Sequence, residues 1–339
     1  MEVITELSSK RALVTGATGF IGGRLAQRLV EDGWWVRLLV RDPGRVSTPL
    51  HAAAELVEGD LRDIAALCCA VRNTTVIFHC AANVRTWDTW DAYYASNVVG
   101  VKNLLDAIGR ENPGLSRLVH LSTVDVYGYP TAPCGEQCTT GGGAFGYGRS
   151  KSLGEALVRE NGDALRIPYA ILRPCNVIGP GSQFIVRIGD ELRRGVMLEI
   201  DGGHANAGLL YIDNLVDRML WAARAASAVG QCFNVRDNYD VSWAMFLEQF
   251  RKAIGGKGII INLPFPVASA IAHGLEAFHR AFLSSREPLL HPLLVYIFGR
   301  SCGHSAQKIR AASGNGDRIG FDEAMKRSVQ WFLETSASR

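Results

Sequence analysis

The chain has 339 residues, with 36 Lys and Arg against 33 Asp and Glu for a formal charge of +3, and 47% of it is hydrophobic. That length supports a substantial apolar core, and charges of both signs are scattered without a long basic run, which argues against a nucleic-acid-binding role. The eight cysteines form no Cys-x-x-Cys pair and have no His at zinc-ligand spacing, so no metal site is expected and the thiols read as reduced, in a cytoplasmic setting.

Met1 to Lys10 contains Glu2 and Glu6 and lacks the apolar core of a signal peptide, so no secretory signal is expected. Arg11 to Thr15 is a short apolar run of the buried-strand type, and Phe20 to Glu31 places Ile21, Leu25 and Leu29 on one helical face. Between them stands Gly16-x-x-Gly19-x-x-Gly22, inside Thr15-Gly16-Ala17-Thr18-Gly19-Phe20-Ile21-Gly22. Glycines between a buried strand and a helix are what a dinucleotide pyrophosphate needs to reach the helix N-terminus. Gly16 would permit the turn, Gly19 the approach of phosphate, and Gly22 the packing of helix on strand.

Val36 to Val40, Glu55 to Val57, Thr75 to Cys80, Arg117 to Ser122 and Tyr169 to Arg173 also read as buried strands, and Val101, Leu104, Leu105 and Ile108 recur at helical offsets. Strands alternating with helices predict an α/β fold, a Rossmann doubly wound parallel sheet covered on both faces. After Pro174 the alternation fades. A strand at Leu209 to Ile212 precedes helices at Asn214 to Ala225 and Ser242 to Ile254, the second carrying Trp243, Phe246, Leu247 and Phe250 on a core face. The expected division is a nucleotide-binding domain over 1–175 and a smaller C-terminal α+β substrate lobe over 176–339, with segments around 205–235 returning to the first domain. The longest stretch without Asp, Glu, Lys or Arg, Gly258 to Leu275, is broken by Asn262, Pro264, Pro266 and His273, so no integral membrane span is expected. Gly314-Asn315-Gly316-Asp317 is a turn cluster before a last helix.

Lys151 follows Tyr147 by four positions in Tyr147-Gly148-Arg149-Ser150-Lys151, so a phenol and an ammonium project from one helix face. A nearby cation favours phenolate and eases proton transfer near neutral pH. Thr123, at the end of the fifth strand in Leu121-Ser122-Thr123-Val124-Asp125-Val126-Tyr127-Gly128, can donate to a carbonyl oxygen. The second strand ends Leu39-Val40-Arg41-Asp42. Val40 cannot bind a ribose hydroxyl, whereas Arg41 suits a 2'-phosphate, which favours NADP(H) while leaving NAD(H) open if Arg41 pairs with Asp42 instead. Asp60, after the third strand and beside Leu61, could accept the adenine amino group or serve as a turn carboxylate.

In these motifs the chain resembles the extended short-chain dehydrogenase/reductases of the NAD-dependent epimerase/dehydratase superfamily. The likeness includes Thr15 to Gly22, Gly59 to Asp63, His79-Cys80-Ala81-Ala82, Asn97 to Leu105, the Thr123 strand end, Tyr147 to Lys151, and Leu172 to Gly181. It implies that Thr123, Tyr147 and Lys151 are catalytic, and that Thr18, Phe20, Ile21, Leu61, Ala81 and Ala82 join the glycines around the cofactor. It further implies that Asn97 supports the site, that Pro174, Asn176 and Val177 contact the nicotinamide carboxamide, and that helices near Val98 to Ile108 and Ser152 to Arg159 form a homodimer. For His79 a core role is the simpler reading. Sugar-nucleotide epimerases and dehydratases generally carry an Arg-Asp pair where this chain has Leu209-Leu210. Tyr211-Ile212-Asp213-Asn214 is instead similar to the 3β-hydroxysteroid dehydrogenase branch. The expected function is therefore NAD(P)-dependent interconversion of a ketone and a secondary alcohol on a hydrophobic, steroid-like or β-keto small molecule. A nucleotide-sugar epimerase or dehydratase, and a non-catalytic NADP-sensing protein, are the alternatives. Val84, Thr123, Val124 and Asn176 are the expected substrate contacts, and Pro264 to Val267, Leu275, Phe278, Phe282, Leu283 and Pro288 to Phe298 the expected apolar walls.

Overall fold

The structure is a computed structural model that describes residues 10–141, 143, 145–282, 287–314 and 316–336. Met1, Glu2, Glu6, Leu283 and Asn315, used in the expectations above, lie outside the described residues. The strands are β1 (Arg11–Thr15), β2 (Trp35–Val40), β3 (Glu55–Glu58), β4 (Val76–His79), β5 (Arg117–Leu121), β6 (Tyr169–Pro174), β7 (Asn176–Ile178), β8 (Val196–Ile200), β9 (Leu209–Tyr211), β10 (Gln231–Val235) and β11 (Ile259–Leu263). Seven of them make one parallel sheet in the order β10-β6-β5-β4-β1-β2-β3.

The near-continuous apolar strands follow from burial on both faces. In β1, Ala12 and Val14 face one core cluster and Leu13 the other, and in β6 Ala170 and Leu172 alternate with Ile171 in the same way. Helices cover both sides: α1 (Phe20–Glu31), α2 (Thr48–Ala53), α3 (Ile64–Val71), α4 (Trp90–Tyr94), α5 (Gly100–Glu111), α6 (Gly146–Ala164), α7 (Gln183–Arg194) and α8 (Ile212–Arg224). Leu25 and Leu29 of α1 join Leu215, Val216 and Met219 of α8 on one face, whereas Leu104, Leu105 and Ile108 of α5 join Val158 of α6 on the other. Between α4 and α5 the helix widens into a π-helical turn, Ala95–Val99, which carries Asn97. Such turns re-aim side chains at functional sites.

Every strand expected before Pro174 is present within two residues of its expected ends. β9 forms a small parallel pair with β7 outside the main sheet, and its last expected residue, Ile212, starts α8 instead. β10 joins the main sheet beside β6 although no strand was expected there, because Gln231 and Asn234 interrupt its apolar run.

The remaining helices are α9 (Trp243–Ala253), α10 (Phe265–Phe282), α11 (Pro292–Gly299), α12 (Gln307–Ser313) and α13 (Phe321–Ser336). Trp243, Phe246, Leu247 and Phe250 are buried, as their spacing predicts. The expectation that Phe278 and Phe282 build an apolar wall is corrected. α10 buries only Ala268 and Ala272 fully, leaving Phe278 52% and Phe282 73% exposed, and Leu289 beyond it is 81% exposed. Among the described residues no helix is long and apolar enough to cross a membrane.

Candidate active site

At the carboxyl edge of β1 the chain reverses at Gly16, whose φ of +76° is strained for any residue with a side chain. A Cβ there would also lie 2.8 Å from Ala81 N and 2.9 Å from Cys80 C, so the glycine lets the turn press against the end of β4. At Gly22 a Cβ would stand 2.4 Å from Gly16 O, which fixes the packing of α1 on the loop. Gly19 is the extended N-cap of α1 and offers no capping side chain, so the first N–H groups of the helix, at Phe20, Ile21 and Gly22, have no intrahelical acceptor. This is a cradle suited to an anionic diphosphate. Thr15 Oγ1 lies 2.8 Å from His79 Nδ1 and accepts from Ala81 N at 3.2 Å, tying the ends of β1 and β4 together. His79 is a core residue, and burial pushes its imidazole down to about 3.

Arg41 is exposed just past β2 and makes no ion pair among the described residues. Asp42 does not hold it: its Oδ1 accepts from Gly44 N at 2.9 Å and caps the next turn. Asp60 is bound by Arg62, whose Nη2 donates at 2.8 Å and whose backbone N donates at 2.7 Å. Those hydrogen bonds hold its carboxyl below the ordinary range. Leu61 is buried, with its carbonyl accepting from Asn103 Nδ2, and Thr18 is exposed at the tip of the glycine loop.

Thr123 and Tyr147 meet beyond β5, and Lys151 is held at the end of that strand. Lys151 is 2% exposed and donates from Nζ to Leu121 O at 2.8 Å. Burial lowers its ammonium to about 8, against the opposing charge of Glu155. The Tyr147 phenol is raised above its ordinary value, first by burial and next by the Asp125 carboxylate, while a hydrogen bond with Thr123 pulls it the other way. Asp125 is itself pushed up to about 6 by burial. Asn97 braces this corner: its Oδ1 accepts from Asn83 N at 2.7 Å, and its Nδ2 donates to Asn83 O at 3.0 Å and to Ser150 Oγ at 2.9 Å. Ser150 Oγ in turn donates to Tyr147 O at 2.7 Å.

A second brace was not legible in the motifs. Glu155, one turn beyond Lys151, accepts from Arg173 Nη2 at 2.6 Å, Arg173 Nε at 2.8 Å and Ser122 Oγ at 2.6 Å. Arg173 Nη1 continues to Tyr127 OH at 2.8 Å, and Tyr127 OH donates to Asn234 Oδ1 at 2.8 Å. The chain of polar groups locks α6 to the ends of β5, β6 and β10.

Against Tyr147 opens a cavity of about 430 Å³. Its walls include Trp87, Trp90, Tyr93, Phe145 and Tyr296, together with the charged Asp88, Arg149, Glu276 and Arg280. Of the expected substrate residues, Val84 is 63% exposed on the loop beyond β4 and Val124 is packed with Cys134, Cys175 and Cys302. Asn176 spends its Nδ2 on Ala207 O at 2.7 Å, beside the buried Pro174 and half-buried Val177. None of the four expected substrate contacts, Val84, Thr123, Val124 and Asn176, lines this cavity. His291, Pro292, Leu293 and Tyr296 belong to the expected wall Pro288 to Phe298, whereas Trp87, Trp90, Tyr93 and Phe145 were not expected because they come from separate segments near 90 and 145. The one local signal was the density of Trp and Tyr between Trp87 and Tyr94.

The chain is 28% identical over 321 residues to a 4-hydroxy-2-methyl-3-oxo-4-farnesyl-3,4-dihydroquinoline-1-oxide ketoreductase of Stigmatella aurantiaca, covering 93% of this chain and 94% of the relative. It is also 28% identical to a 3 beta-hydroxysteroid dehydrogenase/Delta 5-->4-isomerase of Mycobacterium tuberculosis, covering 86% of this chain and 81% of the relative. The fold matches the UDP-glucuronic acid 4-epimerase of Bacillus cereus, solved with UDP-glucuronic acid and NAD, at a TM-score of 0.75 and 20% identity, over 96% of this chain and 99% of that one. The sequence profile of the NAD dependent epimerase/dehydratase family matches residues 12–235, and with the glycine cradle and the seven-stranded parallel sheet it establishes that the chain belongs to this family of extended short-chain dehydrogenase/reductases.

Proposed function

We propose that the chain interconverts a ketone and a secondary alcohol on a hydrophobic, steroid-like or β-keto substrate, with NADP(H) in preference to NAD(H). The observation that carries this reading is the meeting of the Thr123 and Tyr147 hydroxyls at the carboxyl edge of the sheet, where a cavity opens onto Tyr147. Leu209 and Leu210 support it over nucleotide-sugar chemistry, since both are buried and offer no charge to a diphosphate.

The helix N-terminus at Phe20, Ile21 and Gly22 would hold the diphosphate, Arg41 a 2'-phosphate, and Asp60 and Leu61 the adenine. Ala81 and Ala82 would wall the cleft, and the backbone of Pro174, Asn176 and Val177 would meet the carboxamide. The nicotinamide, when bound, supplies or takes the hydride. Tyr147 donates the proton to the substrate oxygen in reduction, and its raised phenol pKa keeps that proton in place until charge develops on the oxygen. Thr123 donates a hydrogen bond to the same oxygen. An ammonium has three donors and Lys151 spends one on Leu121 O, leaving two for the ribose hydroxyls. A homodimer through the outer faces of α5 and α6, where Val99 just before α5 and Leu153 on α6 are more than a third exposed, belongs to the same proposal.

Replacing Tyr147 by Phe removes the proton donor while keeping the ring. Steady-state turnover should fall at least about 100-fold, with the nicotinamide dissociation constant unchanged by fluorescence titration. A variant that keeps most of its rate would defeat the assignment.

A further inference from the structure

The cavity against Tyr147 carries charge as well as rings. Of its ionised residues, Asp88, Glu276 and Arg280 are compensated within the protein. Asp88 accepts from Asn83 Nδ2 at 2.9 Å and from Thr89 N at 2.8 Å, and it lies 3.8 Å from Arg85. Glu276 and Arg280 pair at 2.8 Å on α10. Arg149 is different. Among the described residues its guanidinium has no carboxylate within 4.0 Å and no hydrogen-bond acceptor. Its contact is the face of Trp90, with the guanidinium carbon 4.6 Å from the ring centroid.

Stacking on an indole fixes the plane of a guanidinium and leaves its edge N–H groups free, which is the geometry that grips a planar carboxylate with two parallel hydrogen bonds. Arg149 also stands in the first turn of α6, a 19-residue helix whose positive end adds to the attraction for an anion. Tyr147 lies two residues earlier on the same turn, about 5 Å away between Cα atoms by helix geometry. The two side chains diverge, and both line the cavity. Because both line one cavity, a bound molecule that meets the phenol with its carbonyl can meet the guanidinium with a second group.

We propose that Arg149 binds a carboxylate of the substrate, so that the ketone handled at Tyr147 is that of an oxo acid whose apolar remainder lies against the aromatic walls. This rests on the hydride-transfer reading above and narrows it. Arg149 acts in specificity and takes no part in the proton step.

The test compares a medium-chain 3-oxoalkanoate with its methyl ester as substrates, in the wild type and in Arg149→Gln, alongside calorimetric binding of decanoate to the cofactor-saturated enzyme. Arg149 is exposed, so folding should survive, and thermal melting checks it. The wild type should favour the acid by at least about tenfold in kcat/KM, chiefly through KM, and Arg149→Gln should erase that preference and weaken decanoate binding by a similar factor. Arg149→Lys should restore part of the loss, since it keeps the charge without the fork. An equal effect of Arg149→Gln on acid and ester, decanoate binding that ignores the substitution, or a wild type that does not bind decanoate would each overturn the proposal. If neither ketone is turned over while decanoate binding still depends on Arg149, the carboxylate site stands and the hydride-transfer reading falls.

Discussion

The spacing of Tyr147 and Lys151 predicts a phenol acidified by its neighbour, yet burial dominates and the phenol lies above its ordinary value. Sequence spacing reports which groups share a helix face. It does not report how much water they lose, and desolvation penalises phenolate and ammonium alike. Lys151 shows the same effect in the opposite direction, lowered to about 8 by its burial. Asp125, which adds to the rise on Tyr147, belongs to the Thr123 motif but was assigned no role from sequence, because its influence arises from a turn that brings it back toward α6. Arg41 was better marked. The alternative that it pairs with Asp42 is not what the structure shows, since Asp42 caps its own turn and leaves the guanidinium at the cleft without an acidic partner among the described residues. Arg41→Ala should therefore weaken NADPH by roughly 10- to 100-fold while changing NADH little, one charge-assisted phosphate contact being worth roughly 1.5–3 kcal/mol. An unchanged ratio of the two dissociation constants would remove the argument for NADP(H).

The elements of the first half were legible because each is a local pattern: an apolar run for a doubly buried strand, a 3.6-residue repeat for its helix, glycines where backbone must touch backbone. β10 and the polar chain from Ser122 to Asn234 were not, since they join residues far apart in sequence. Glu155 shows what such a chain contributes. It sits one turn past Lys151, 2% exposed, and its carboxylate accepts from Nε and Nη2 of an equally buried Arg173. Glu155→Gln keeps the shape but leaves the Arg173 charge uncompensated, and breaking a buried pair from one side costs about 3–5 kcal/mol. Urea unfolding should show a loss of that size. kcat should fall as well, because Ser122, Arg173 and α6 are no longer held in one geometry around Lys151. A variant as stable as the wild type would mean that the network orders nothing.

At the scale of the whole molecule, the sheet supplies one wall of the cleft and the elements after β6 supply the other, and Glu287 ties the two together. Its Oε1 accepts from Thr86 Oγ1 at 2.8 Å on the loop beyond β4 and from Arg187 Nη1 at 3.0 Å on α7, and it lies 3.2 Å from His291 Nε2 at the head of α11. Trp87, next to Thr86, is flanked by Arg280 at 4.8 Å and by the His291 ring at 5.6 Å, so two further contacts join the carboxylate in holding this loop to α10 and α11. No motif marks such a residue, because its partners lie up to 201 positions away. The hydrogen bond with His291, joined by those from Thr86 and Arg187, holds the Glu287 carboxyl down to about 2 from an ordinary 4.5. A depressed carboxyl stabilises the fold fully above its unfolded pKa and loses that contribution as pH falls through the folded one. The difference in stability between wild type and Glu287→Ala should accordingly be constant from neutral pH down to about 5 and shrink from there toward about 2. Hydrogen exchange at neutral pH should quicken in the Glu287→Ala loop between Val84 and Thr89 and around His291, and remain unchanged in β1, β4 and β5, which the latch does not touch. Unaltered exchange in that loop would show that the contacts of Trp87 with Arg280 and His291 hold it without the carboxylate.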